Sequence, residues 1–165
     1  MNIKYRVVLT GYDMVMHQPC VGSVLHQMHD THVRAVQAAH EAAAQEIVDL
    51  ASGKGMALPG NISMSFEETQ NECGCTNAAA IRYWDAQGFE HVLSEYDVYK
   101  IEERDNTHTN FLYRGFIIEL DPEDQWYWIF YLSDKRNHRW SGRSLAACCD
   151  IIDEVCNEMM MMEGM

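Results

Sequence analysis

The chain is poor in bases and lacks the usual signatures of catalysis. It carries 12 Lys and Arg against 25 Asp and Glu, a formal net charge of −13 over 165 residues. A surface this negative repels nucleic acid and anionic membrane at long range, which argues against direct binding to either. No G-x-S-x-G is present to expose a nucleophile, and no G-x-x-x-x-G-K-S/T to cradle phosphates. No apolar run approaches the roughly 20 residues that cross a bilayer. The opening MNIKYRVVLTGYD holds Lys4 and Arg6, but its apolar run stops at Leu9, unlike a secretory signal. A soluble, cytoplasmic protein is expected. The six cysteines then read as reduced thiols rather than a disulfide framework.

What is present suits a globular protein: 47% hydrophobic and 22% charged residues. The length favours a single domain over 1–165, with two candidate sub-units at 1–100 and 101–160. A chain of this size buries roughly two-thirds of its unfolded surface and needs no staple. The acidic excess grows toward the C-terminus.

Periodicity outlines the elements. In IKYRVVLT, residues Ile3, Tyr5, Val7 and Leu9 share one face of a strand. A long amphipathic helix is predicted from a Ser23 cap to about Ser52, ended by Gly53. Its apolar side holds Val24, Leu25, Met28, Ala35, Val36, Ala39 and Ala43; Glu46 falls among them without a reason. Gly53 to Gly60 is the best linker. NISMSFEET reads as a strand. AAAIRYWD and FEHVL suggest a hairpin around Ala86-Gln87-Gly88, although AAAIRYW also suits a helix. SEYDVYKIEERDN is open between strand and helix.

The last third is clearest. FLYRGFIIEL and WYWIFYLS read as two strands joined at Asp121-Pro122-Glu123-Asp124, with proline well placed for a turn. Both are apolar on both faces and therefore predict a cover on each side: two helices, or a second protomer in a homodimer. Ser144 caps a helix whose stripe is Leu145, Cys148, Cys149, Ile152, Val155, Cys156 and Met159. The fold class expected is α+β: a mostly antiparallel sheet, one long N-terminal helix and one C-terminal helix.

Four constellations are candidates for chemistry. His26, His29 and His32, with His40, lie on the predicted first helix, and histidines one turn apart can share zinc. Their spacing is three rather than four, so a histidine stripe at the core edge explains them as well. Cys73-Gly74-Cys75 offers two thiolates, with Cys20, His17 and His91 as further donors, whereas strong zinc modules have two such pairs. A turn with two incidental cysteines explains it equally. The tripeptides His29-Asp30-Thr31 and His108-Thr109-Asn110 approach the paired H-x-T/S motifs of two-histidine phosphodiesterases, but the second ends in Asn. Lys135, Arg136, Arg139, Trp140 and Arg143 form a basic, aromatic turn that suits a phosphate or a stacked base, or merely offsets the acidic helix after it. That helix carries Asp150, Asp153, Glu154 and Glu158 opposite its apolar stripe.

The stretch from Tyr113-Arg114-Gly115-Phe116 through Trp126 to Ser141-Gly142-Arg143-Ser144-Leu145 and Ile151-Ile152-Asp153 resembles a strand–strand–helix cassette of small acidic phage and mobile-element accessory proteins. Such proteins include anti-CRISPR inhibitors. The resemblance implies an anti-defence factor in the host cytoplasm. The function expected is a non-enzymatic binding or inhibitor protein that occupies a basic, nucleic-acid-binding surface of a protein partner, without a cofactor. Asp121, Glu123, Asp124, Asp150, Asp153, Glu154 and Glu158 would stand in for phosphates. The alternative is a small metal protein or enzyme that uses the His26/His29/His32 helix and the Cys73/Cys75 turn, with zinc.

Overall fold

The computed structural model describes residues 3–13, 18–21, 25–51, 62–65, 69–70, 75–105, 107–134, 137 and 139–163. The architecture is α+β, with one antiparallel sheet and two helices. The sheet is built on two long strands, β1 (Ile3–Asp13) and β7 (Glu90–Glu103), paired from Ile3↔Glu102 to Gly11↔Ser94. Outside β1 lie β2 (Gln18–Val21) and β3 (Leu25–His29). On the other edge of β7, β6 (Thr76–Trp84) pairs first and carries β4 (Ile62–Ser65) and β5 (Thr69–Gln70) beyond it. Farther along that edge come β8 (Asn110–Tyr113), β9 (Phe116–Asp121), β10 (Trp126–Tyr131) and β11 (Trp140–Gly142).

The two helices cover opposite faces. Along β7, Tyr96 and Val98 pack under α1 (His32–Ala51), while Ile101, and beside it Tyr99, belong to the core under α2 (Leu145–Glu163). Successive residues of a strand point to opposite sides, so these sets lie on opposite faces. The same alternation in β1 sends Val7 to α1 and Arg6 to α2. Each face of β1 and β7 thus has its own helix, but the doubly apolar β9 and β10 have a helix on one face only among the described residues: they contribute to the core under α2 and not to the core under α1.

The first helix is shorter than expected. It begins at His32, not after Ser23, and its cap is Thr31, whose Oγ1 accepts the Arg34 N–H at 3.2 Å. Residues 25–29 form β3 instead. Its register on β1 shifts between Arg6↔Met28 and Val7↔Leu25, so two extra residues bulge out. That bulge spaces apolar residues by three and imitates a helical repeat. Edge pairing with β1 overrides the helix preference of the segment. Ser144 caps α2 as expected, accepting from Ala147 N–H at 3.1 Å.

The AAAIRYW segment is strand, and of SEYDVYKIEERDN the part through Glu103 is strand and continues β7. FLYRGFIIEL is two strands rather than one. Arg114 (φ 51°) and Gly115 (φ 82°) form a two-residue turn with both φ positive, the geometry that matches the twist of a tight hairpin. At the end of β11, Gly142 lets α2 approach: a Cβ there would stand 2.8 Å from Cys148 Sγ. Glu46 now has its reason. Ser94 Oγ donates to it at 2.7 Å and the Tyr96 hydroxyl at 3.2 Å, so a carboxylate on the inner side of α1 is hydrogen-bonded. The candidate linker 53–60 lies outside the described residues.

Candidate functional site

The site begins with a gap in the sheet. On one edge of β7, β6 pairs as far as Val98↔Thr76, and β8 takes over at Glu102↔Leu112. Between them, Tyr99, Lys100 and Ile101 have no strand on that edge among the described residues. A cleft of about 460 Å³ opens there, lined by Tyr99, Lys100, Glu102, Leu112, Arg114, Gly115 and Cys156. By alternation Tyr99 belongs to the α2 face, and Lys100 and Glu102 to the other, so the cleft reaches both sides.

Arg114 anchors the cleft to a charged network beneath α2. Its Nη1 donates to Asp153 Oδ1 at 2.8 Å and its Nη2 to the Tyr99 hydroxyl at 3.3 Å. Its guanidinium lies over the Tyr99 ring, 4.2 Å from the centroid. Asp153 also accepts from the Tyr113 hydroxyl at 2.6 Å and faces Arg6 Nε at 3.3 Å. Arg6, fully buried, is paired with Asp150 and donates to the Ala146 carbonyl oxygen at 3.2 Å. Burial works against the Arg114 charge, but Tyr99, Cys156, Tyr113 and Asp153 outweigh it and hold the guanidinium protonated. Burial pushes the Asp153 carboxyl upward against the pull of Tyr113, Arg114 and Arg6. Burial likewise raises the Tyr99 hydroxyl and the Cys156 thiol. Both shifts run against nucleophile formation, since the thiolate is the reactive form. On the same face, burial pushes Asp97 up to about 6, against its hydrogen bond from Asn77 Nδ2 at 2.9 Å.

The acidic residues singled out from the sequence divide into three kinds. Glu123, Asp124, Glu154 and Glu158 are exposed. Asp121 is half-buried and accepts the Glu123 N–H at 3.0 Å within its own turn. Asp150 and Asp153 do not line a solvent face of α2 as expected: Asp150 is half-buried against Arg6, and Asp153 is in the core. Helical spacing placed Asp153 opposite the cysteine stripe, but buried arginines from β1 and the β8–β9 turn extend the inner side of the helix around to it.

The basic turn is spread along β10. Arg143 lies over the Trp126 ring at 5.4 Å and Arg139 over the Tyr131 ring at 5.8 Å, at opposite ends of the strand. Trp140 turns inward and packs edge-on against Phe116 and Tyr131. Lys135 and Arg136 lie outside the described residues.

The proposed metal donors are not brought together where they are described. His32 Nε2 lies 3.0 Å from Thr76 Oγ1 under α1, whereas Cys75 contacts Tyr99 on the α2 face. His40 donates to the Ala78 carbonyl oxygen at 3.0 Å, a link between α1 and β6. His29 is half-buried at the end of β3, and the side chain of His26 and the whole of Cys73 lie outside the described residues. Among the described residues no group of three or more His, Cys, Asp or Glu is placed to hold a metal. The two His/Thr motifs also part: Thr31 caps α1, and His108 binds Glu103 through both its N–H and Nδ1, at 2.7 and 2.8 Å.

No described helix is long and apolar enough to cross a membrane. Compared with known proteins, the chain matches no family model, no curated protein and no solved structure.

Proposed function

We propose that the protein is a non-enzymatic binding protein whose acidic surface occupies a basic, nucleic-acid-binding surface of a protein partner. The observation that carries this reading is the sorting of charge. Arg6 is buried and Arg114 mostly covered, Lys4 is paired with Asp30 and Arg82 with Glu90, while Glu119, Glu123, Asp124, Glu154 and Glu158 face solvent beside a smaller number of exposed bases, Arg34, Lys100, Arg139 and Arg143. Exposed carboxylates thus outnumber exposed bases among the described residues, in a chain of net charge −13. Such a surface steers a basic partner and competes with phosphates for its Lys and Arg side chains. The upward-shifted Cys156 thiol and Tyr99 hydroxyl at the cleft favour binding over nucleophilic chemistry. The likeness of the C-terminal cassette to phage accessory proteins supports a guide-loaded CRISPR effector as the first partner to try.

Titrating the protein into such an effector and measuring target-DNA binding tests this. DNA binding should fall with added protein, and less so as salt rises. The variant Glu123→Gln, Asp124→Asn, Glu154→Gln, Glu158→Gln should inhibit at least about tenfold less, since each lost rim contact weakens steering. Inhibition that is indifferent to both salt and these four changes would sink phosphate mimicry. No inhibition at all would remove the effector as the partner.

A further inference from the structure

We propose that the cleft between β6 and β8 binds a small organic anion: a single carboxylate or phosphate monoester on a flat apolar body. Its volume of about 460 Å³ lies within the ~300–1,000 Å³ of small-molecule sites. Two cations, Lys100 and Arg114, line it against one carboxylate, Glu102, among the described residues. Arg114 has five N–H donors, and its described hydrogen bonds are the two to Asp153 and Tyr99. Asp153 is shared with Arg6, which also has Asp150, so two arginines face two carboxylates beneath the cleft and Lys100 adds a cation at its mouth. The guanidinium is thus held rigidly from behind, by ring and carboxylate, with donors to spare. Preorganised donors of this kind bind carboxylate and phosphate without a further ordering cost.

The rest of the cleft suits a flat body. Leu112 and Tyr99 supply apolar walls. A Cβ built on Gly115 would meet nothing within 4 Å, so the turn leaves open space beside Arg114. In a chain of net charge −13, a cavity with more cations than carboxylates is set against the surrounding field. This inference is independent of the acidic-surface reading: it concerns another place, the opposite ligand charge and a small molecule.

Titration of the full-length, 15N-labelled protein with phenyl phosphate, benzoate, benzyl alcohol and benzylamine, followed by amide shifts, tests it. At least one of the two anions should shift the amides of Tyr99, Lys100, Leu112 and Gly115 saturably, and the alcohol and amine should not. Lys100→Glu, at an exposed position that leaves the buried network intact, should weaken the anion about tenfold or more, as charge reversal at the mouth requires. The proposal is overturned if neither anion gives saturable shifts there, if benzyl alcohol or benzylamine binds as well, or if Lys100→Glu leaves the affinity unchanged.

Discussion

Under α1 the sheet is closed by small apolar contacts, with Ala35, Ala39 and Ala43 of the helix meeting Ala78 and Ala79 of β6, all fully buried. Under α2 the same sheet is closed around charge. Arg6 and Arg114 share Asp153 there, beside Tyr113, Ile118, Ile129 and the thiols of Cys148 and Cys149. Among the described residues the first interface holds no ion pair at its centre, only the hydrogen bonds of Glu46, His40 and His32 around an alanine contact, and is sensitive to volume. The second asks for each ionic partner, because a buried charge left alone has neither water nor a counter-ion. Helical periodicity describes the first side well and misleads on the second, where a carboxylate lies inside because arginines from distant strands meet it.

The sharpest way to break this contrast is Asp153→Ala. It leaves Arg6 and Arg114 without their shared partner and should cost about 3–5 kcal/mol in urea or guanidinium unfolding. A loss below about 1 kcal/mol would show that the charged network does not close the α2 side. On the opposite face, Ala39→Leu inserts three carbons into a packed interface and should cost about 1–3 kcal/mol. An unchanged or higher stability would mean that α1 sits loosely on β6, and the two sides would differ less than described.

The smallest expected effect is on pH dependence. Burial lifts Asp97 from an ordinary 3.8 to about 6 in the folded protein. The folded chain therefore holds this proton more tightly than the unfolded one. Its contribution is fully present below 3.8 and is lost as the pH rises through about 6. Asp97 is half-buried and partly screened by solvent, so the change should be on the order of 1–2 kcal/mol. Asp97→Asn should flatten the stability profile between those pH values relative to the parent. If parent and variant keep the same profile, Asp97 titrates normally and the buried charge is confined to the Arg6–Asp153–Arg114 network.

Much of the frame was legible along the chain. The alternation of Tyr5, Val7 and Leu9, the turn at Ala86-Gln87-Gly88, the turn at Pro122 and the Ser144 cap each report a local requirement of the backbone. The bulge in β3 was not legible, because its three-residue spacing is shared by helices. The Arg114-Gly115 turn had a signal, a glycine after one residue between two apolar runs, but both runs read as one strand. The cleft had none. Among the described residues it exists because β6 pairs with β7 only as far as Val98, through Thr76, and β8 takes over only at Glu102, through Leu112, and a register between strands is not written in either strand alone.

Local pattern thus determined that this chain is an antiparallel α+β protein with a capped, cysteine-striped last helix and a large acidic excess. It could do so because strand alternation, turn chemistry, helix capping and net charge depend on near neighbours or on composition alone. Which carboxylates face solvent and which are internal was decided only by the tertiary structure. Asp153 and Glu154 are adjacent, yet one is buried on two arginines and the other is exposed. The partners that separate them, Arg6 and Arg114, arrive from elements that only the assembled sheet brings beneath α2.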